Sequence, residues 1–224
     1  MLFMFLSLCF IIEIMEEKLT ITAIEPQKRK KNRYNIYADG EYIASLGDEA
    51  IVRASIKVGA AISQSAIDEA VLADNTQYAF DSAAALLAHG MRTRGDLEQR
   101  LRDRGIADAA IETAMNRLAA YGYVDDKAYA KEFVRCDMAS GRWGRIVVAQ
   151  RLREKKLSRE IIDESLKAYT DEDEKKNARC QLQAFVSKNK DTDKRLVRQK
   201  AFAALTRHGF SYDIISELFS EAND

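Results

Sequence analysis

The 224 residues are 47% hydrophobic and 31% charged, enough apolar content for a globular core and far from the composition of disordered chains. Thirty-five basic and 35 acidic residues cancel; this excludes a global basic excess that would drive indiscriminate nucleic-acid binding, so any polyanion contact must be local. Cys9, Cys136 and Cys180 form no CxxC pair, which argues against a disulfide framework or a zinc site and for a reducing cytoplasm.

In chain order, Met1–Ile12 is apolar but lacks a basic leading segment and a small-residue cleavage site, and it is shorter than the roughly 20 residues of a membrane span. Residues 1–14 are therefore expected to be a misassigned start, with the functional protein beginning at Met15; the alternative is an interfacial anchor. Residues 15–62 form a small β region. Leu19, Ile21 and Ala23 alternate with Thr20 and Thr22, and Asp39-Gly40 separates Tyr34-Asn35-Ile36-Tyr37 from Tyr42-Ile43-Ala44, a strong hairpin signal because both turn residues tolerate positive φ. The basic loop Lys28–Arg33 is either a solvated hairpin loop or a polyanion contact.

From Ser63 the sequence is helix-forming, with Pro26 the one proline and long Ala, Leu, Glu, Lys and Arg tracts, and it repeats. Gln99-Arg100-Leu101-Arg102 recurs 51 residues on as Gln150-Arg151-Leu152-Arg153, and a fainter copy surrounds Leu205. Ile111 and Met115, Ile162 and Leu166, and Ile215 and Phe219 follow at matching positions. A period of this length marks stacked supersecondary units. The predicted fold is mainly α: three tandem three-helix repeats at 63–124, 125–172 and 173–224, in an elongated array behind the small β region. In the first, a helix near Tyr78–Ala88 precedes one starting at Thr93 and another over about Ala107–Ala120. Thr93, Ser158 and Ser211 have capping positions. Leu101, Leu152 and Leu205 are expected in the core.

No catalytic set stands out. His89 and His208 each precede a glycine at a helix end, where an imidazole suits the helix dipole, and Asp125-Asp126 fits capping better than Mg²⁺ ligation. No cofactor and no metal are expected, and the protein is not expected to be an enzyme. Basic residues carry more information. Arg142, Arg145, Arg153 and Lys156 fall at i, i+3, i+11 and i+14, one stripe at helical spacing. Arg94 and Arg102 correspond to Arg145 and Arg153, and Arg195 and Arg198 to Arg142 and Arg145. These eight side chains form the candidate binding face; the alternative is a solvated helix surface. Acidic charge gathers instead at Asp171–Glu174, giving a segregated charge distribution. Trp143, the single tryptophan, either contacts a partner or base or pins the start of its helix to the core.

The chain resembles the RecX family over Lys18–Phe219. The resemblance rests on Leu86-Leu87 with Arg92-Thr93-Arg94 and Leu97, on Leu101 with Gly105-Ile106, on Tyr121-Gly122-Tyr123-Val124-Asp125-Asp126 leading to Tyr129-Ala130 and Phe133-Val134-Arg135, and on Gly141 and Arg145. It departs at Lys155-Lys156-Leu157, where the family's second unit carries Lys-Gly. The resemblance implies a cytoplasmic, monomeric regulator of homologous recombination and the SOS response. Such a protein lies in the groove of the RecA nucleoprotein filament on single-stranded DNA and lowers its ATPase and strand exchange, with no membrane involvement. A stand-alone helical-repeat nucleic-acid-binding protein is the competing expectation.

Overall fold

The computed structural model describes residues 18–28, 32–189 and 193–221; the expected misassigned start and the centre of the basic loop, residues 29–31, lie outside these. The chain divides into two compact units, the first made of residues up to Ala84 together with Leu101–Arg117, the second of Ala85–Arg100 together with Leu118 onward.

The first unit is built on an antiparallel sheet of β1 (Lys18–Pro26), β2 (Arg33–Ala38), β3 (Glu41–Gly47) and β4 (Ala61–Ser63), in the order β3-β2-β1-β4. Asp39 and Gly40 both take positive φ, 50° and 85°, the conformation a two-residue hairpin turn demands. Ile21, Ile36, Ala38, Ala44 and Leu46 are buried in one cluster with Ile56, Ile67 and Ala70. The sequence pattern did not place α1 (Asp48–Arg53), a single short turn of helix behind Gly47.

Helix α2 runs over Gln64–Leu87, so it starts 14 residues before the expected Tyr78. The additional turns include Asp74-Asn75-Thr76, short polar residues that usually favour turns. In the fold they are held by tertiary contacts: Asp74 accepts from the Gly47 N–H at 3.2 Å and pairs with Arg33 at 3.0 Å, and Thr76 is buried. Arg33, one end of the basic loop, is thereby engaged within the protein.

The remaining helices are α3 (Arg94–Arg102), α4 (Asp108–Ala120), α5 (Asp126–Ser140), α6 (Arg145–Glu154), α7 (Arg159–Leu166), α8 (Asp171–Lys188), α9 (Lys194–Arg207) and α10 (Tyr212–Glu221). The middle helices α3, α6 and α9 bury Leu101, Leu152 and Leu205, and the following helices bury Ile111, Met115, Ile162, Ile215 and Phe219, as the internal repeat predicts. Capping also agrees: Asp96 N–H donates to Thr93 Oγ1, Ala128 N–H to Asp125, Ile161 N–H to Ser158 and Ile214 N–H to Ser211. Each cap satisfies a helix-end N–H that would otherwise have no partner. In the second unit, Ala130, Val134, Val148, Leu152, Leu157, Ile162 and Tyr169 form one core, and Ala178, Ala201, Leu205, Phe210, Ile214, Ile215 and Leu218 another.

Candidate functional site

The middle-helix N-termini in the second unit are built into joints that repeat along the chain. At the first joint, Thr93 Oγ1 donates to the Lys155 carbonyl at 2.7 Å, and the Arg94 N–H donates to the Asp126 carboxylate at 2.8 Å. At the second, Gly144 N–H donates to the His208 carbonyl at 2.9 Å, and Arg145 N–H to the Glu174 carboxylate at 3.1 Å. A carboxylate is well placed at a helix N-terminus, where N–H groups have no intrahelical acceptor and the dipole is positive.

Each joint closes on a residue with left-handed backbone. Lys156 has φ 61° and Gly209 has φ 80°, matching Gly105 at 77° in the first repeat. The departure at Lys156 is thus a lysine in the conformation that glycine normally supplies. The approach is close at both joints: a Cβ on Gly95 would lie 2.5 Å from Lys156 Cβ, and one on Gly144 would lie 2.2 Å from the Gly209 carbonyl oxygen.

The predicted arginines fall into two groups. Arg145 is bound to Asp171 at 2.5 Å and to Glu174 at 3.4 Å; Glu174 is only 2% exposed, and burial pushes its carboxyl above the usual range against the pull of the Arg145 N–H and guanidinium. Arg94 pairs with Glu98 at 2.7 Å and Arg102 with Asp108 at 2.7 Å. Charges that sequence order separates, the arginines of 142–153 and the acids of 171–174, therefore meet in space at Arg145. Arg142, Arg153, Lys156 and Arg195 are exposed. Lys156 Nζ donates to Gln99 at 2.6 Å, and Arg198 donates to the Phe219 carbonyl at 3.1 Å while lying over the Phe219 ring. Because α6 spans only Arg145–Glu154, Arg142 precedes it and Lys156 comes after it, so the helical-phase argument for a four-residue stripe applies to Arg145 and Arg153 alone.

Trp143 is half-buried against the second repeat's core. Arg142 stacks on its ring at 4.6 Å, Arg151 lies 5.7 Å from it, and His208 meets it edge-on at 5.3 Å. Its carbonyl accepts from Tyr169 Oη at 2.9 Å. Arg151 is itself fixed by Asp137 at 2.5 Å and covers Phe133 at 4.9 Å. These contacts pin the start of α6. Burial, reinforced by Arg142 and Arg207, lowers the His208 imidazole below its ordinary value.

Sequence reasoning missed Asp126 and Glu174 as acceptors for another helix, and Gly95 and Gly144 as points of close approach. Asp126 was visible only as part of an Asp-Asp cap, and Glu174 only as one member of the acidic cluster Asp171–Glu174 in a segregated charge distribution.

A small antiparallel sheet preceding helical triads, joined N-terminus to turn, defines a helical-repeat protein. Residues 19–63 match the family described as Regulatory protein RecX N-terminal domain, 79–118 match RecX, first three-helix domain, and 125–166 match RecX, second three-helix domain. The chain belongs to the RecX family of regulatory proteins. It is 27% identical over 206 residues to Regulatory protein RecX of Listeria welshimeri, covering 92% of this chain and 77% of that protein. It is 28% identical over 203 residues to the protein of the same name in Bacillus licheniformis, covering 91% and 77%. A crystal structure of regulatory protein RecX superposes with TM-score 0.65 at 27% identity, over 88% of this chain and 97% of that one. RecX from Lactobacillus salivarius gives 0.62 at 27% identity, over 67% and 98%.

Proposed function

We propose that this protein regulates the RecA recombinase by lying in the groove of the RecA filament on single-stranded DNA, where it lowers ATP hydrolysis and strand exchange. The observation that carries the reading is the family match, which extends through the sheet and two successive helical triads. The protein acts by occupying a surface, as a cytoplasmic monomer. Its effect on the filament is set by the difference in its affinity for the extended and the shortened states. Arg142, Arg153 and Arg195, all exposed residues, are the proposed contacts among the repeat arginines. Among the described residues, no helix is long and apolar enough to cross a membrane.

The test is RecA's DNA-dependent ATPase, followed with the protein added to preformed and to nascent filaments. Substoichiometric protein is expected to reduce hydrolysis and to co-sediment with the filament. Unchanged hydrolysis and strand exchange at saturating protein, without co-sedimentation, would overturn the reading in favour of a stand-alone nucleic-acid-binding module.

A further inference from the structure

The second and third triads fill the seam between first and middle helix differently. Between α5 and α6, Arg151 lies over the Phe133 ring at 4.9 Å and pairs with Asp137 at 2.5 Å. The two cores align Ala130 with Ala178 and Leu152 with Leu205. In that register Ala204 stands where Arg151 does, and Gln181 and Phe185 stand at Phe133 and Asp137. The third triad has exchanged the guanidinium for a methyl group and the carboxylate for a ring. A groove of about 170 Å³ lies there, lined from α8 by Gln181, Phe185 and Lys188 and from α9 by Ala201, Leu205 and His208. Each set spans a seven-residue step, so the groove follows two helical turns, roughly 10 Å. An apolar cavity of about 150 Å³ holds a benzene ring; the floor of Phe185, Ala201, Ala204 and Leu205 has room for one leucine or phenylalanine side chain.

The rim of this groove is cationic. From Lys175 to the end of α8, and throughout α9, there is no carboxylate. Lys175 and Arg179 are taken up by Glu217 and Glu221 of α10. Lys188, in the groove, has no carboxylate within ion-pair distance among the described residues. Burial lowers the His208 imidazole, and Arg142 and Arg207 lower it further, which places both cations beside one end of the groove. His208 Nδ1 is buried without a hydrogen-bond partner among the described residues. An apolar floor bordered by cations and an imidazole nitrogen complements an apolar side chain flanked by carboxylates. A phosphodiester backbone would use the rim and leave the floor uncovered.

We propose that the groove between α8 and α9 is a docking site for an acidic protein segment, which anchors one leucine or phenylalanine on the floor and sets its flanking carboxylates against Lys188, Arg207 and His208. The second triad closes its own seam with Arg151, so between these two triads the site belongs to the third. The proposal goes beyond the filament reading and does not rest on it: shape and charge complementarity supply the occupant.

The test is fluorescence anisotropy of a fluorescein-labelled peptide, Glu-Asp-Glu-Phe-Glu-Asp, titrated with the full chain at fixed pH and salt. Replacing the peptide's phenylalanine by serine, at unchanged charge, is expected to weaken binding by about ten-fold or more. Ala204→Arg returns the Arg151 arrangement to the third triad and adds a positive charge; it is expected to weaken binding by about ten-fold or more because the floor is filled. Lys188→Gln/Arg207→Gln is expected to weaken it about ten-fold. Lys188 and Arg207 are exposed, so the double variant should melt as the wild type does and decides the matter even if Ala204→Arg fails to fold. Equal binding of the serine peptide, or tighter binding by Ala204→Arg, would reduce the groove to a cationic surface that attracts any polyanion and would overturn the proposal. Unchanged affinity in the double variant, or no saturable binding by the wild type, would overturn it as well.

Discussion

The N–H of Ile146 donates to the carbonyl of Gly209 at 3.1 Å, across a gap in which neither Gly144 nor Gly209 has room for a side chain. A Cβ on Gly144 would meet backbone, not a movable side-chain tip. Gly144→Ala is therefore expected to destabilise the protein by about 3 kcal/mol, at the upper end of overpacking costs. Gly209→Ala adds left-handed strain to a clash with Val147 and is expected to cost more. Urea unfolding followed by circular dichroism measures both; a cost under about 0.5 kcal/mol for Gly144→Ala would contradict the close approach.

At the first joint the obstruction is a side chain, so it is removable. Gly95→Ala should destabilise by about 1–3 kcal/mol because its Cβ would press on Lys156 Cβ. Lys156→Gly relieves a positive φ and is expected to stabilise by up to about 1 kcal/mol. The double variant should recover most of the Gly95→Ala loss, a coupling that a double-mutant cycle reads directly. Strict additivity would refute the contact.

Glu174 and Asp126 do the same task in different surroundings. Asp126 is partly exposed, and Asp126→Ala is expected to cost about 1 kcal/mol, the value of a helix cap. Glu174→Ala removes a buried carboxylate from both the Arg145 N–H and the Arg145 guanidinium, and about 3 kcal/mol is expected. Chemical denaturation should rank Glu174→Ala well above Asp126→Ala.

His208 links the second joint to pH. Its folded-state value lies below the ordinary 6.5, first through burial and then through Arg142 and Arg207. The unfolded chain therefore takes up the proton first. This contribution to stability is complete above about pH 6.5 and declines as the pH falls toward the folded value. His208→Gln should remove that component, so the wild type and the variant, measured by urea unfolding between pH 8 and 5, should converge on the acid side. Parallel curves would exclude the linkage.

Arg145→Glu is expected to lower the melting temperature by several degrees, since it sets a third carboxylate against Asp171 and Glu174. Arg153→Glu, at an exposed position, should leave melting nearly unchanged. Differential scanning calorimetry of the two separates a joint residue from a surface residue.

Periodicity made Leu101, Leu152 and Leu205 legible as core, and Asp39-Gly40 as a hairpin, because those signals are local or repeat at fixed spacing. The partners of Arg145 were not legible. Asp171 and Glu174 lie 26 and 29 residues away, and no helical phase relates one helix to the carboxylates of another. The helical start of α2 was hidden for a similar reason: Asp74 is stabilised by Gly47 and Arg33, contacts that reach far along the sequence. Lys156 was recognisable as a departure from the Lys-Gly pattern, while its left-handed backbone and its approach to Gly95 emerged only from the fold.

Helix α9 takes a cap acceptor from its own Asp193, whereas Arg94 and Arg145 reach forward to Asp126 and Glu174. This gives the repeats a direction that matters during translation. A ribosome delivers the middle helix of each of the first two triads before the carboxylate that will receive its first N–H, so these N–H groups wait for a later stretch of chain, whereas α9 finds its capping carboxylate in the residue just before it. Shortening the chain from its C-terminal side would return the N-terminus of α6 to that waiting state, while the third triad would keep its cap however much preceded it.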